Sequence, residues 1–380
     1  MKLKSIIFHC VIVCCALTVF SCNSKSSEST QELTLKDAFK DKFYIGTALS
    51  REQFLGFNTK AEEVTKTHFN SIVAENCMKS MFLQPKEGEF FFDDADKFVA
   101  FGEKNNMHIT GHTLIWHSQA PRWFFKDENG EDVSRKVLIE RMKNHIYTVV
   151  GRYKGKIKGW DVVNEAILDN GEWRDSKFYQ IIGEDFVKLA FQFAHEADPD
   201  AELYYNDYSM ALEGRRNGVI KMVKSLQEQG IRIDGIGMQG HIGMDGPSLN
   251  DFEKSILAFS DLGVKVMITE LDLSALPSPW SNMGANISET AEYQEKMNPY
   301  PTDIPQEAEQ VWEDRYLEFF KLFLKHRDKI ARVTLWGISD ANSWKNDFPI
   351  AGRTDYPLLF DRNYEAKSIV EKLIKQALLY

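Results

Sequence analysis

From about residue 40 onward the chain alternates between short β-branched or aromatic runs and longer stretches whose apolar residues recur at helical spacing. Strands are predicted to start near Phe43, Asn70, His108, Lys158, Glu202, Ile233, Val264 and Ala331. Helices are predicted between them. Asp132 or Ser134 can cap one in which Leu138, Met142, Ile146 and Val149 share a face, ending around Gly151. A second runs from Ser176 to about Glu196, burying Phe186, Leu189 and Phe193, and stops at Asp198-Pro199-Asp200. A third carries Val219, Met222, Val223 and Leu226 and closes at Gly230, a residue suited to a left-handed cap.

Eight strands alternating with helices predict an α/β fold, a single (β/α)8 TIM barrel with an enlarged loop after the seventh strand. The doubly wound open sheet is disfavoured. No Gly-rich phosphate loop follows the first strand, and polar residues follow nearly every strand rather than one switch point. The long irregular stretch, residues 274–305, carries Pro277, Pro279, Trp280, Tyr293, Tyr300 and Pro301. A loop of that length with those aromatics reads as a wall of a ligand cleft, the alternative being a mobile flap that decorates the barrel.

Composition narrows the class of ligand. The formal charge of -10 and pI near 5.5 give no basic surface to neutralise phosphates, so no nucleic-acid partner is expected. The 26 Phe and 8 Trp are a high aromatic share that calls for a use. At the start, Lys2 and Lys4 precede an apolar run from Ile6 to Phe20 that is too short for a permanent span and reads as an export signal. It ends Val19-Phe20-Ser21-Cys22, which is similar to a bacterial lipoprotein processing site with lipid on Cys22. The protein is therefore expected to be exported and held on the cell envelope, or otherwise secreted. Cys10, Cys14 and Cys15 lie in the apolar run, so Cys77 alone remains in the body and a disulfide framework is excluded. Cys77 reads as a small buried apolar residue. Neither a metal site nor a cofactor is expected. His112 and His117, five apart on an extended strand, point to opposite faces, and His117 reads as packing.

The chemistry gathers where strands run out. Two segments, Trp160 to Glu165 and Val264 to Asp272, each put a carboxylate near the end of an apolar strand. Read in order, the strand ends supply Glu75, Asn76 and Lys79; His112, Trp116 and His117; Asn164 and Glu165; Asn206 and Tyr208; Gln239 and His241; Glu270 and Asp272; Trp336 and Trp344. Such a set suits a hydroxyl-rich ring. Amides, imidazoles and carboxylates bond its hydroxyls, and indoles cover its apolar C–H faces.

Seven segments together carry a resemblance: Glu75-Asn76-Cys77-Met78-Lys79 with Gly88-Glu89-Phe90; Gly111 to Gln119; Trp160 to Glu165; Tyr205-Asn206-Asp207-Tyr208; Gly237 to His241; Thr269 to Asp272; and Leu335 to Asp340. Over roughly residues 37–378 the chain resembles glycoside hydrolase family 10, retaining endo-1,4-β-xylanases on a (β/α)8 barrel. The resemblance implies Glu165 as acid/base and Glu270 as nucleophile. Such a retaining pair works with its carboxyl groups about 5–5.5 Å apart. It further implies Asn164 on the sugar 2-hydroxyl, His241 bridging Glu270 and Asp272, and Asn206 supporting the nucleophile. Glu75, Asn76, Lys79, His112 and Gln239 would meet the glycone sugars with Trp336 and Trp344 over them, Trp116 would also bind substrate, and Tyr208 would meet the leaving-group side; plain core packing is the alternative for Trp116 and Trp336. Xylan and xylo-oligosaccharides are the expected partners, with a monomer as the working unit.

The chain departs from the family pattern in having Ser80 where Trp usually follows Lys79, and Cys77 where a larger polar residue is usual. The expected organisation is a lipoprotein-type signal at 1–21, a Ser-rich flexible tether at 22–36 and one catalytic domain at 37–380. Two rival functions stand beside the xylanase reading. One is a β-1,4-glucanase of the same fold, which the bulk of Trp336 and Trp344 against a C6 hydroxymethyl group disfavours. The other is a glycan-capture lipoprotein without catalysis, which would have no need of both Glu165 and Glu270.

Overall fold

Eight barrel strands form among the described residues, each starting within two residues of its predicted position: β1 (Tyr44–Leu49), β2 (Ser71–Ala74), β3 (His108–Trp116), β4 (Gly159–Asn164), β5 (Glu202–Asp207), β6 (Gly235–Met238), β7 (Lys265–Ser274) and β8 (Ile330–Leu335). The computed structural model describes residues 33–278, 297–349 and 351–380. Every strand pairs in parallel with the next, and β8 returns to β1 with Tyr44 beside Arg332 and Thr47 beside Leu335. The sheet thus closes into the expected barrel. Its strands are buried almost throughout, because helices cover the outer face and side chains fill the inside. Where a bulky side chain crosses a neighbouring strand, glycine makes the room: a Cβ on Gly111 would lie 2.1 Å from the Trp160 ring.

The outer layer includes the helices Arg135–Arg152, Asp185–Ala197, Glu213–Glu228, Leu249–Ser260, Gln306–Lys325 and Ser368–Ala377. Of the two candidate caps, Ser134 takes the role, its hydroxyl accepting from Val137 N at 3.4 Å. Leu138, Met142, Ile146 and Val149 are all fully buried, as their spacing predicts. Past the helix Glu213–Glu228, Gly230 adopts the left-handed conformation expected of it, with φ +72°.

Two boundaries differ from expectation. The helix predicted from Ser176 to Glu196 is two helices, Lys177–Ile182 and Asp185–Ala197, broken where Gly183 turns to φ +81°. The packed body begins ahead of residue 37, in the helix Leu35–Ala38, because Leu35 and Phe39 both bury and Phe39 stacks on Phe43 and meets Phe320. Strand β7 runs to Ser274, its last residues Asp272, Leu273 and Ser274 pairing with the short strand His241–Gly243.

The stretch after β7 is tied at its neck. Arg353 donates to Pro277 O at 3.0 Å, to Met297 O at 3.2 Å and to Ser274 Oγ at 3.3 Å. Asn298 donates to Gly352 O at 2.9 Å and accepts from Thr354 N at 3.1 Å. The predicted wall residues Pro279, Trp280 and Tyr293 lie outside the described residues, as do the signal at 1–21, Cys22 and most of the tether. Among the described residues no helix is long and apolar enough to cross a membrane.

Candidate active site

Strand β4 delivers Asn164 and then Glu165, which leaves the strand in left-handed backbone, φ +58°. Bulky residues rarely hold that conformation unless the surroundings over-determine it. Here Glu165 N donates to Asn206 O at 2.9 Å, and Arg174 Nε donates to Glu165 O at 2.8 Å. The turn aims the carboxyl group inward, where it is 8% exposed. Trp116 Nε1 donates to Oε2 at 2.9 Å, while Gln239 at 3.0 Å and Asn164 at 3.3 Å donate to Oε1.

Glu270 lies on the inner face of β7 with 5% exposure. Asn206 Nδ2 donates to its Oε1 at 2.8 Å and to Asn164 Oδ1 at 3.0 Å, so one amide ties the nucleophile candidate to the segment that carries the acid candidate. The Asn206 amide is oriented in turn by Thr269 Oγ1, which donates to its Oδ1 at 2.6 Å. Only a glycine at 237 permits this arrangement, since a Cβ there would sit 2.4 Å from Asn206 Oδ1.

On the other oxygen of Glu270 sits His241, its Nε2 at 3.2 Å and its Nδ1 2.9 Å from Asp272 Oδ2. Burial alone would strip the proton from this imidazole, but Asp272 and Glu270 together outweigh it and push the pKa up to about 9. His241 is therefore a cation at neutral pH and donates to both carboxylates. Asp272 is fully buried; burial opposes its ionisation, yet His241, Lys345 and Trp344 hold it below the usual carboxylate range. Trp344 Nε1 donates to Asp272 Oδ2 at 2.8 Å, and Lys345 Nζ lies 3.3 Å from Oδ1.

The remaining predicted residues surround this pair. Lys79 is buried, donates to Asn76 Oδ1 at 3.0 Å and lies 5.1 Å from the Trp116 ring centre. Burial lowers its pKa against the pull of Glu270, Glu75 and Glu165. Glu75 is raised by burial, with Lys79 and Asn76 opposing. His112 Nδ1 pairs with Asp161 Oδ2 at 2.9 Å, and its ring meets Trp336 edge-on at 5.4 Å. Trp344 meets His241 edge-on at 5.2 Å. Tyr208 accepts from Arg174 at 2.8 Å, the same guanidinium that holds Glu165. His117 packs against Trp116, and burial lowers its pKa to about 3, so it is neutral. Cys77 is a free thiol pushed up to about 12 by burial, hence unreactive. Ser80 is buried with its hydroxyl 3.4 Å from Gln119 O, and Lys79 keeps an aromatic neighbour in Trp116 despite the missing indole. Among the described residues no three His, Cys, Asp or Glu side chains gather to hold a metal.

Two carboxylates in different hydrogen-bond surroundings, flanked by amides and indoles, are equipment for acting on a sugar. Residues 34–376 match Glycosyl hydrolase family 10. The chain belongs to that family. Family 10 relatives include endo-1,4-beta-xylanase A of Xylanibacter ruminicola, 52% identical over 90% of this chain and 93% of that protein. Another is the endo-1,4-beta-xylanase of Geobacillus stearothermophilus, 42% identical over 88% of this chain and 96% of that protein. Among solved structures, a GH10 endoxylanase retrieved from a sugarcane soil metagenome superposes with TM-score 0.87 at 47% identity, covering 90% of this chain and 99% of that one. The protein is thus a glycoside hydrolase.

Sequence reading missed four supports of the family 10 site: Asp161 on His112, Arg174 on Glu165 O, Thr269 on Asn206 and Lys345 on Asp272. Asp161 and Thr269 stood inside recognised segments, but strict alternation from Asn164 and Glu270 would turn both away from the site, and the shifted registers of β4 and β7 that alter this leave no sequence signal. Arg174 and Lys345 lie in loops and carried no such signal.

Proposed function

We propose that this protein is a retaining endo-1,4-β-xylanase that cuts internal β-1,4-xylosidic bonds of xylan, with Glu270 as nucleophile and Glu165 as acid/base. The observation that carries the assignment of roles is the contrast between the two carboxylates. Glu270 accepts from the cationic His241 and from Asn206, partners that stabilise a negative charge. The Glu165 carboxyl group accepts from neutral donors only, the Trp116 indole and the Gln239 and Asn164 amides.

In the first step Glu270 Oε attacks the anomeric carbon, the bond from that carbon to the leaving oxygen breaks, and the Glu165 proton passes to that oxygen. A covalent glycosyl-enzyme results. In the second step Glu165, now a carboxylate, takes a proton from water, the water oxygen bonds to the anomeric carbon, and Glu270 departs as a carboxylate. Charge on Glu270 disappears in the first step and returns in the second, so His241 meets a charge that changes during turnover.

Around the pair, Asn164 would donate to the 2-hydroxyl, and Glu75, Asn76, Lys79, His112 and Gln239 would hold the glycone. Trp336 and Trp344 would crowd the position of a C6 hydroxymethyl group, which favours xylose over glucose. Tyr208 would meet the leaving-group side. The Lys2-to-Cys22 segment supports export with a lipid on Cys22; mass spectrometry of the mature protein, with and without Cys22→Ala, reads this directly. A monomer is the expected unit, testable by light scattering.

The function is tested by reducing-end release from xylan. The parent is expected to release new ends and Glu270→Gln to lose this by about 10⁴-fold or more. Binding of xylan by a folded parent that releases no ends would overturn the reading.

A further inference from the structure

Tyr205 carries a role that the reaction itself does not assign. It is fully buried and faces away from the cleft, because successive residues of β5 alternate: Asn206 points inward to Glu270, while Tyr205 and Asp207 point outward. Its phenol oxygen lies against the backbone that follows Glu165, accepting from Ala166 N at 3.0 Å and from Ile167 N at 3.2 Å. Its O–H donates to Asp207 Oδ2. With two donors received and one proton given, the hydroxyl's capacity is used in full.

The group behind it is itself fixed. Asp207, fully buried, also accepts from Tyr208 N at 2.9 Å, from Ile167 N at 3.4 Å and from Arg215. The Arg215 guanidinium lies 3.9 Å from the Tyr208 ring centre and reaches Asp169 at 2.7 Å. Burial pushes Asp207 up to about 7, against Arg215, and the charge of Glu165 adds to that rise. The acid candidate and this outer cluster therefore sense one another.

Glu165 holds left-handed backbone at φ +58°, a conformation that persists for such a residue only when its neighbours impose it. Asn206 O holds the peptide before it, through Glu165 N. The peptide after it is held at both ends, Glu165 O by Arg174 and Ala166 N by Tyr205. We propose that Tyr205 is a positioning residue for the acid/base: its phenol oxygen sets the peptide after Glu165, and through it the direction in which that carboxyl group meets the leaving oxygen. This rests on Glu165 being the acid/base. A single strand would then serve both carboxylates, Glu270 from its inner face and Glu165 from its outer face.

The test compares kcat/KM for aryl β-xylobiosides whose leaving groups run from dinitrophenol, which departs without a proton, to phenol, which needs one. Tyr205→Phe keeps the ring and removes the oxygen. It is expected to slow the phenyl substrate by about tenfold or more while leaving the dinitrophenyl substrate near the parent rate. Asp207→Asn, which changes the phenol's partner and leaves the ring and oxygen in place, is expected to show the same split to a smaller degree. Glu165→Ala run on the same series separates the two claims. If Glu165→Ala shows the split and neither of the other variants does, the positioning role is wrong and the acid/base assignment stands. If Glu165→Ala shows no split, the assignment itself fails. A loss that is uniform across the leaving groups in Tyr205→Phe would mark a purely structural tyrosine and overturn the proposal; if that variant does not fold, Asp207→Asn alone decides.

Discussion

His241 is the residue whose charge most depends on its company. Its folded pKa of about 9 lies above the ordinary 6.5, so its link to Asp272 and Glu270 contributes stability that is complete below pH 6.5 and is lost as pH rises through about 9. The parent is therefore expected to lose Tm between those values more steeply than His241→Asn, measured by calorimetry across the range; parallel curves would contradict the charge assignment. Gly237 is a second single-residue test. Gly237→Ala would press a methyl group against the Asn206 amide and displace it from Glu270, lowering kcat/KM by about 10²-fold with the circular dichroism spectrum unchanged. An active variant would show that Asn206 can yield. Residues such as Asn206 and His241 were legible in the sequence because each follows or ends a strand and belongs to a recognised segment. Lys345 was not, because it reaches Asp272 from a loop after β8, and nothing local to position 345 announces a partner on β7.

At the level of elements, strands were legible to within two residues since each is a short apolar run bounded by polar punctuation. The misreadings have physical causes. A helical apolar pattern continues across Gly183, and only its positive φ breaks the helix there. The short strand His241–Gly243 beside the end of β7 was not read, because three residues are too few for a period-two pattern to announce. The neck of the long loop rests on a buried ion pair, Arg353 with Asp355 at 3.6 Å, whose side chains are 3% and 0% exposed. Removing one partner leaves the other charge buried, so Arg353→Met is expected to cost about 3–5 kcal/mol. The exposed pair Arg135–Asp185 provides the contrast: Arg135→Ala is expected to cost under about 1 kcal/mol. Urea denaturation of both variants reads the difference, and equal losses would show that the neck is not held by this pair.

On the scale of the whole molecule, the closed barrel explains why residues from seven of its strand ends and loops meet in one cluster. Parallel strands deliver their C-terminal ends to a single face, and the site is built there from side chains distant in sequence. Substrate choice follows from what surrounds that face. Initial rates on xylan are expected to exceed those on soluble cellulose, and equal rates would point to a pocket that admits the C6 hydroxymethyl group despite Trp336 and Trp344. The central claim is that Glu270 becomes covalently bonded to the sugar. It is tested most directly by incubating the protein with a 2-deoxy-2-fluoro-xylobioside carrying a dinitrophenyl leaving group and mapping the digested product by mass spectrometry. A single glycosyl increment on the peptide that contains Glu270 is the predicted result. A protein that turns over xylan yet forms no adduct, or forms it on another residue, would contradict the account.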